Sequence, residues 1–123
     1  VERYIELAAV PGEVLQQVRA SWPGPHTWIF PRSADVPAWV AGAHAGIALR
    51  VTAHEPAAAL CRAFGGALVS TSANPHGQPS ARSAQTVAEY FGDALDGLLD
   101  APLGGQASPT VIRDALTGAI IRA

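Results

Sequence analysis

Helix-patterned and strand-patterned runs alternate along all 123 residues, and that alternation limits the fold more than any other feature of the chain. YIELAA (4–9) alternates bulky and polar positions as a half-buried strand does, and PGEVLQQVRASW (11–22) then sets Val14, Leu15 and Val18 at helical spacing behind Pro11. Pro23 and Pro25 lack amide donors and Gly24 favours a turn, so that helix stops there. TWIFP (27–31) predicts the next strand, PAWVAG (37–42) a single helical turn, and GIALRV (46–51) a further strand. In EPAAALCRAFGG (55–66), Pro56 in the first turn and glycines at the end mark a helix, with Thr52 or His54 placed to cap it. A strand is expected at 67–71. Ser83 is placed to cap a helix over 84–92 that carries Val87 and Phe91 on one face and stops at Gly92. GLLDAP is a short strand or turn, LGGQASP a loop, and TVIRDALTGAIIRA two strands turning through Thr117 and Gly118. With no repeat and no linker, the expectation is one mixed α/β domain over residues 1–123.

Composition agrees with a packed domain: apolar residues make up 49% and charged residues 15%. A net charge of -2 exerts no bulk pull on phosphate backbones, so any contact with nucleic acid needs a local patch. All eight basic residues are arginine, which excludes lysine chemistry within these residues. The sequence holds no methionine, and a further N-terminal portion is expected. Cys61, the one cysteine, has no internal disulfide partner; a buried thiol in a reducing compartment is expected. No stretch reaches the roughly 18 consecutive apolar residues of a membrane span, and the expected setting is the cytoplasm.

The candidate site begins in LVSTSANPHGQPS (68–80), where an apolar run breaks into Ser70, Thr71, Ser72 and Asn74. Uncharged hydroxyls and loop amides at a strand end can hold an anion without a cation. The same residue types also end strands and cap turns by bonding to nearby backbone, and both readings stand. Arg50, between Leu49 and Val51, is expected to need an anionic partner: Asp114 or Glu55, or else a ligand carboxylate or phosphate gripped in a bidentate fork. Arg122 in AIIRA poses the same choice, or is a solvated chain end. GGQASPT (104–110) sets Ser108 and Thr110 beside two glycines but lacks the spacing and lysine of a phosphate-binding P-loop. The four histidines show no metal-ligand spacing, so no metal site is expected, and no catalytic triad can be singled out.

SWPGPHTWIFPRS, GIALRVTAHEP, ALVSTSANPHGQPS and ASPTVIRDALTGAIIRA, in this order and spacing, resemble the YrdC-like family of threonylcarbamoyl-AMP synthases over nearly the whole chain. The resemblance implies a twisted α/β fold with a concave cleft. It implies a reaction joining L-threonine, bicarbonate and ATP into threonylcarbamoyl-adenylate, with magnesium on the triphosphate and a product used to modify tRNA. By matched position, Arg50, Ser70 and Ser108 would hold threonine or its carbamate, and Ser72, Asn74, Ser80 and Arg122 would face ATP. Gly46 stands where such proteins often carry a hydroxyl. They also begin with a further segment bearing a Lys-x-Arg motif, so the 123 residues correspond to the later two thirds of the family domain and are expected to be impaired or inactive alone. Two other roles fit the resemblance: a non-catalytic module binding tRNA or double-stranded RNA, and a domain of a hydrogenase-maturation carbamoyltransferase.

Overall fold

A computed structural model describes residues 1–103 and 110–122. Its centre is a four-stranded sheet of β1 (His26–Pro31), β2 (Gly46–Leu49), β3 (Val111–Asp114) and β4 (Ile120–Arg122), in the order β2-β1-β3-β4. β1 runs antiparallel to β2 and parallel to β3, and β3 and β4 form the expected antiparallel hairpin. Four α-helices accompany it among the described residues: α1 (Gly12–Ser21), α2 (Ala38–Ala41), α3 (Glu55–Phe64) and α4 (Ala84–Phe91). The mixed α/β class read from the sequence is the one observed.

One face of the sheet is sealed by α1. Val14 and Val18, four residues apart on one helical face, meet Trp28 and Phe30 of β1 together with Ile5, Val10 and Ala115 in a single buried cluster. Trp28 is fully buried and keeps its indole N–H satisfied by donating to Ser21 Oγ at 2.9 Å, while Ser21 donates to the Val18 carbonyl at 2.7 Å. The Trp22 and Phe30 rings meet at a 49° tilt with centroids 5.8 Å apart, and Trp22 donates to the His26 carbonyl.

Local signals were legible where the structure satisfies them locally. α3 ends on Gly65 at φ 86, the left-handed conformation that glycine adopts without a Cβ penalty. Ser83 Oγ accepts from the Thr86 amide at 3.1 Å and caps α4 as expected. Three expectations are corrected. Residues 4–9 are not a strand: two single turns of 3-10 helix, Glu2–Tyr4 and Leu7–Ala9, close on their own carbonyls, and only Ile5 bridges to the sheet, opposite Arg32. Residues 67–71 are not a strand either, because no sheet edge pairs with them, and Val69 is 74% exposed. Cys61 is half-buried rather than buried, since α3 has no buried residue at all.

Candidate functional site

Strand directions decide where the predicted residues meet. Trp28 pairs with Leu49, so Arg50 lies beyond β2 at the end where β1 begins. His26 pairs with Val111, so β3 begins at that same end, and Ile112 pairs with Arg122, which returns β4 to it. Arg50 and Arg122 therefore stand at one end of the sheet, on its two outermost strands, roughly 14 Å apart for three strand spacings. Between them Thr27 Oγ1 and Thr110 Oγ1 are hydrogen-bonded at 3.0 Å.

The two guanidiniums differ in how they are held. Arg122 donates from Nη2 to the Thr110 carbonyl at 3.0 Å, which fixes it beside the start of β3. Arg50 is exposed and has no hydrogen-bond or ionic partner among the described residues. Neither expected internal carboxylate reaches it: Glu55 pairs with Arg62, and Asp114 Oδ1 accepts from the Leu116 amide at 2.7 Å. Burial, the premise for expecting an internal partner, does not apply at Arg50. At the same end His54, the N-cap residue of α3, donates from Nε2 to the Pro102 carbonyl at 2.8 Å, and Thr52 Oγ1 accepts from the His54 amide at 3.1 Å. The sequence offered both residues as caps; the link from His54 to Pro102 joins positions 48 apart and had no local signal.

The hydroxyl-rich loop has a defined internal frame. Asn74 Nδ2 donates to the Pro75 carbonyl at 3.1 Å and the Gln78 carbonyl at 2.9 Å, Ser72 Oγ donates to Asn74 Oδ1, and the Ala81 amide closes on the Ala73 carbonyl at 3.1 Å. Ala73 sits at φ 55, a left-handed conformation that an alanine keeps only because its surroundings enforce it. Tyr90 Oη donates to the Pro79 carbonyl at 2.9 Å and ties the loop to α4. Ser70 and Ser80 are exposed and make no hydrogen bond among the described residues. The loop thus presents free hydroxyls on a rigid frame in which Asn74 is the brace.

No described hydrogen bond joins this loop to the Arg50 and Arg122 end of the sheet. Ser108 lies outside the described residues, though Thr110, two positions on, is at that end. Two surface hollows of about 420 and 470 Å3 lie elsewhere: one is bounded by the first residues, α1 and Phe30, the other by α2, Ile29 and β2, and no predicted site residue lines either. Among the described residues no three His, Cys, Asp or Glu side chains gather as metal ligands, and no helix is long and apolar enough to cross a membrane.

A mixed α/β domain with basic and hydroxyl side chains at one end of its sheet is the class of protein these features define. Its architecture is that of a crystal structure of P. abyssi Sua5 complexed with L-threonine, superposed with a TM-score of 0.83 at 30% identity over 92% of this chain and 33% of that one. The family model Sua5_yciO_yrdC, described as Telomere recombination, matches residues 1–123, and the chain belongs to that family. It is 51% identical over 122 residues to the threonylcarbamoyl-AMP synthase of Xanthomonas campestris pv. campestris strain B100, covering 99% of this chain and 65% of that protein. With the threonylcarbamoyl-AMP synthase of Halorhodospira halophila the identity is 53% over 116 residues, 94% of this chain and 61% of that one. The chain spans somewhat less than two thirds of the length of these relatives.

Proposed function

We propose that these residues belong to a threonylcarbamoyl-AMP synthase, an ATP-using enzyme of the cytoplasm whose product modifies an adenosine of certain tRNAs. The observation that carries the reading is the placing of Arg50 and Arg122 at one end of the sheet, in a chain half identical to proteins of that name. The chemistry has two steps. The threonine amine attacks the carbon of bicarbonate and water leaves, giving a carbamate; a carbamate oxygen then attacks the α-phosphorus of ATP and pyrophosphate leaves.

The parts given to the residues follow their matched positions, and for the described ones their surroundings support them. Arg50, exposed and without an internal partner, is available to take the threonine carboxylate in a bidentate grip, with Ser70 and Ser108 as neutral donors to the carboxylate or carbamate. Ser72, Ser80 and Arg122 face the nucleotide, where one guanidinium offsets the charge that builds on the phosphoryl oxygens. Asn74 serves the same ligand by holding the loop that carries Ser72. Residues 70–80 supply hydroxyls, the amides of Asn74 and Gln78 and the single imidazole of His76 but no carboxylate, a donor set that fits phosphate oxygens better than a metal ion. Magnesium accordingly comes with the triphosphate as part of the substrate. The net charge of -2 favours a reading in which RNA receives the product over one in which bulk charge holds RNA to this domain.

Calorimetric titration with ATP, with threonine and with both tests the assignment. Loss of a hydrogen bond to a charged group costs about 1.5–3 kcal/mol, so Arg50→Ala should weaken threonine at least about tenfold and leave ATP within about twofold. Ser72→Ala should do the reverse, with a smaller loss. Equal effects of each change on both ligands would sink the proposal.

A further inference from the structure

Bonds of two kinds hold the loop that runs from Ser70 to Ala81. The first kind lies inside it: the Ala81 amide donates to the Ala73 carbonyl at 3.1 Å, the Gln78 amide to the Pro75 carbonyl at 3.0 Å, and Asn74 to the Pro75 and Gln78 carbonyls. These bonds join residues 73–81 to one another. They set the outline of the loop, and they do not set how it lies against α4.

The second kind comes from Tyr90, near the C-terminal end of α4, which donates from Oη to the Pro79 carbonyl at 2.9 Å across 11 positions of sequence. Its half-buried ring meets Phe91 nearly edge-on, at 83° with centroids 6.1 Å apart, and that contact limits the directions the phenol can take.

The grip on that carbonyl reaches the next residue. The Pro79 carbonyl and the Ser80 amide belong to one planar peptide, and it is trans. A trans peptide turns its C=O and N–H to opposite sides, so the bond that draws the carbonyl to Tyr90 aims the Ser80 N–H away from Tyr90. Neither that N–H nor the Ser80 hydroxyl has a partner among the described residues, and Ser80 is exposed. Two unpaired, uncharged donors on one exposed residue suit a phosphate oxygen.

We propose that Tyr90 is a positioning residue for the nucleotide: by holding the Pro79 carbonyl against α4, it aims the amide and hydroxyl of Ser80 at a phosphate group. The inference rests on the reading of residues 70–80 as nucleotide-facing and adds to it a residue from outside that loop. Tyr90 itself touches no ligand. It keeps both donors of Ser80 in place before the nucleotide arrives, so that binding carries no cost of ordering them.

Tyr90→Phe removes one oxygen and keeps the ring, so the contact with Phe91 and the fold of α4 are retained. In the ligand-free 123-residue chain, this change should speed amide exchange at Gln78 and Ala81 at least about threefold, because both amides sit in the loop that Tyr90 pins. The α4 amide of Val87 and the cap amide of Gly92 should keep their rates. In calorimetric titration, Tyr90→Phe should weaken ATP about three- to tenfold, the range for one neutral hydrogen bond, and leave L-threonine within about twofold. Because Tyr90 acts through Ser80, the loss in the double variant with Ser80→Ala should be smaller than the product of the two single losses. Unchanged exchange at Gln78 and Ala81, faster exchange along α4 as well, equal losses for ATP and threonine, or a double variant that equals that product would each overturn the inference. A parent chain that binds threonine and not ATP would overturn the nucleotide reading of the loop and this inference with it. A parent that binds ATP no better than Tyr90→Phe would overturn the inference alone.

Discussion

Arg113 and Arg50 each follow an apolar residue near a strand end, Ile112 and Leu49, yet the structure uses them in opposite ways. The Arg113 guanidinium lies 4.5 Å over the Trp28 ring, donates from Nε and Nη2 to the Gly118 carbonyl at 3.1 and 2.9 Å, and from Nη2 to Gln17 Oε1 at 2.9 Å. It clamps the β3–β4 turn to α1 across the aromatic core. Arg50 is exposed and makes no hydrogen bond or ion pair among the described residues. A cation–π contact contributes about 0.5–1 kcal/mol and each of the two hydrogen-bonded acceptors, the Gly118 carbonyl and Gln17 Oε1, about 1 kcal/mol. Arg113→Ala should therefore lower stability by about 2–3 kcal/mol in urea unfolding, and Arg113→Lys should recover less than half, because an ammonium cannot reproduce the planar fork. Arg50→Ala should stay within about 0.5 kcal/mol of the parent. The sequence reading expected an anionic partner for Arg50, an internal carboxylate or a ligand, and passed over Arg113. Strand order, which places Trp28 beside Arg113 and leaves Arg50 at an outer edge, is a non-local property that neither flanking sequence contains.

Elements with self-contained signals were legible before the structure. α1, α3 and α4 follow from apolar spacing and their stop residues, and the β3–β4 hairpin from its turn. The α4 cap supplies a check at this scale. Ser83 Oγ accepts from the Thr86 amide and bonds Thr86 Oγ1 at 2.9 Å, so Ser83→Ala should cost about 1 kcal/mol in urea unfolding, and Ser83→Asp should retain most of the stability. Strands were less legible, since a strand forms only where an edge receives it. ALVST has the composition of a buried strand and stands exposed, while YIELAA contributes Ile5 to the core through two short helical turns. The same limit governs the candidate site. Its donors were visible as residue types, but the return of β4 alongside β3 is what sets Arg122 at the Arg50 end, and the bracing of the 71–81 loop by Asn74 depends on a backbone path that local composition left open.

Taken whole, the chain is a well-sealed half and an open half. The sealed half holds α1, β1 and the apolar cluster around Trp28; the open half comprises α3, α4 and the irregular stretches beside them, none of which has a buried residue. Denaturant sensitivity follows the surface exposed on unfolding, so this imbalance is measurable. An unfolded chain of this mass exposes roughly 18,400 Å2, and a compact native state would hide about 12,200 Å2 of it. Starting from 8356 Å2, unfolding here releases only about 10,000 Å2. The urea m-value, followed through far-ultraviolet circular dichroism, should therefore be about four fifths of that of a compact 123-residue domain. An m-value at the full compact-domain figure for the 123 residues would mean that the open half closes on itself in solution and hides the area that stands exposed here.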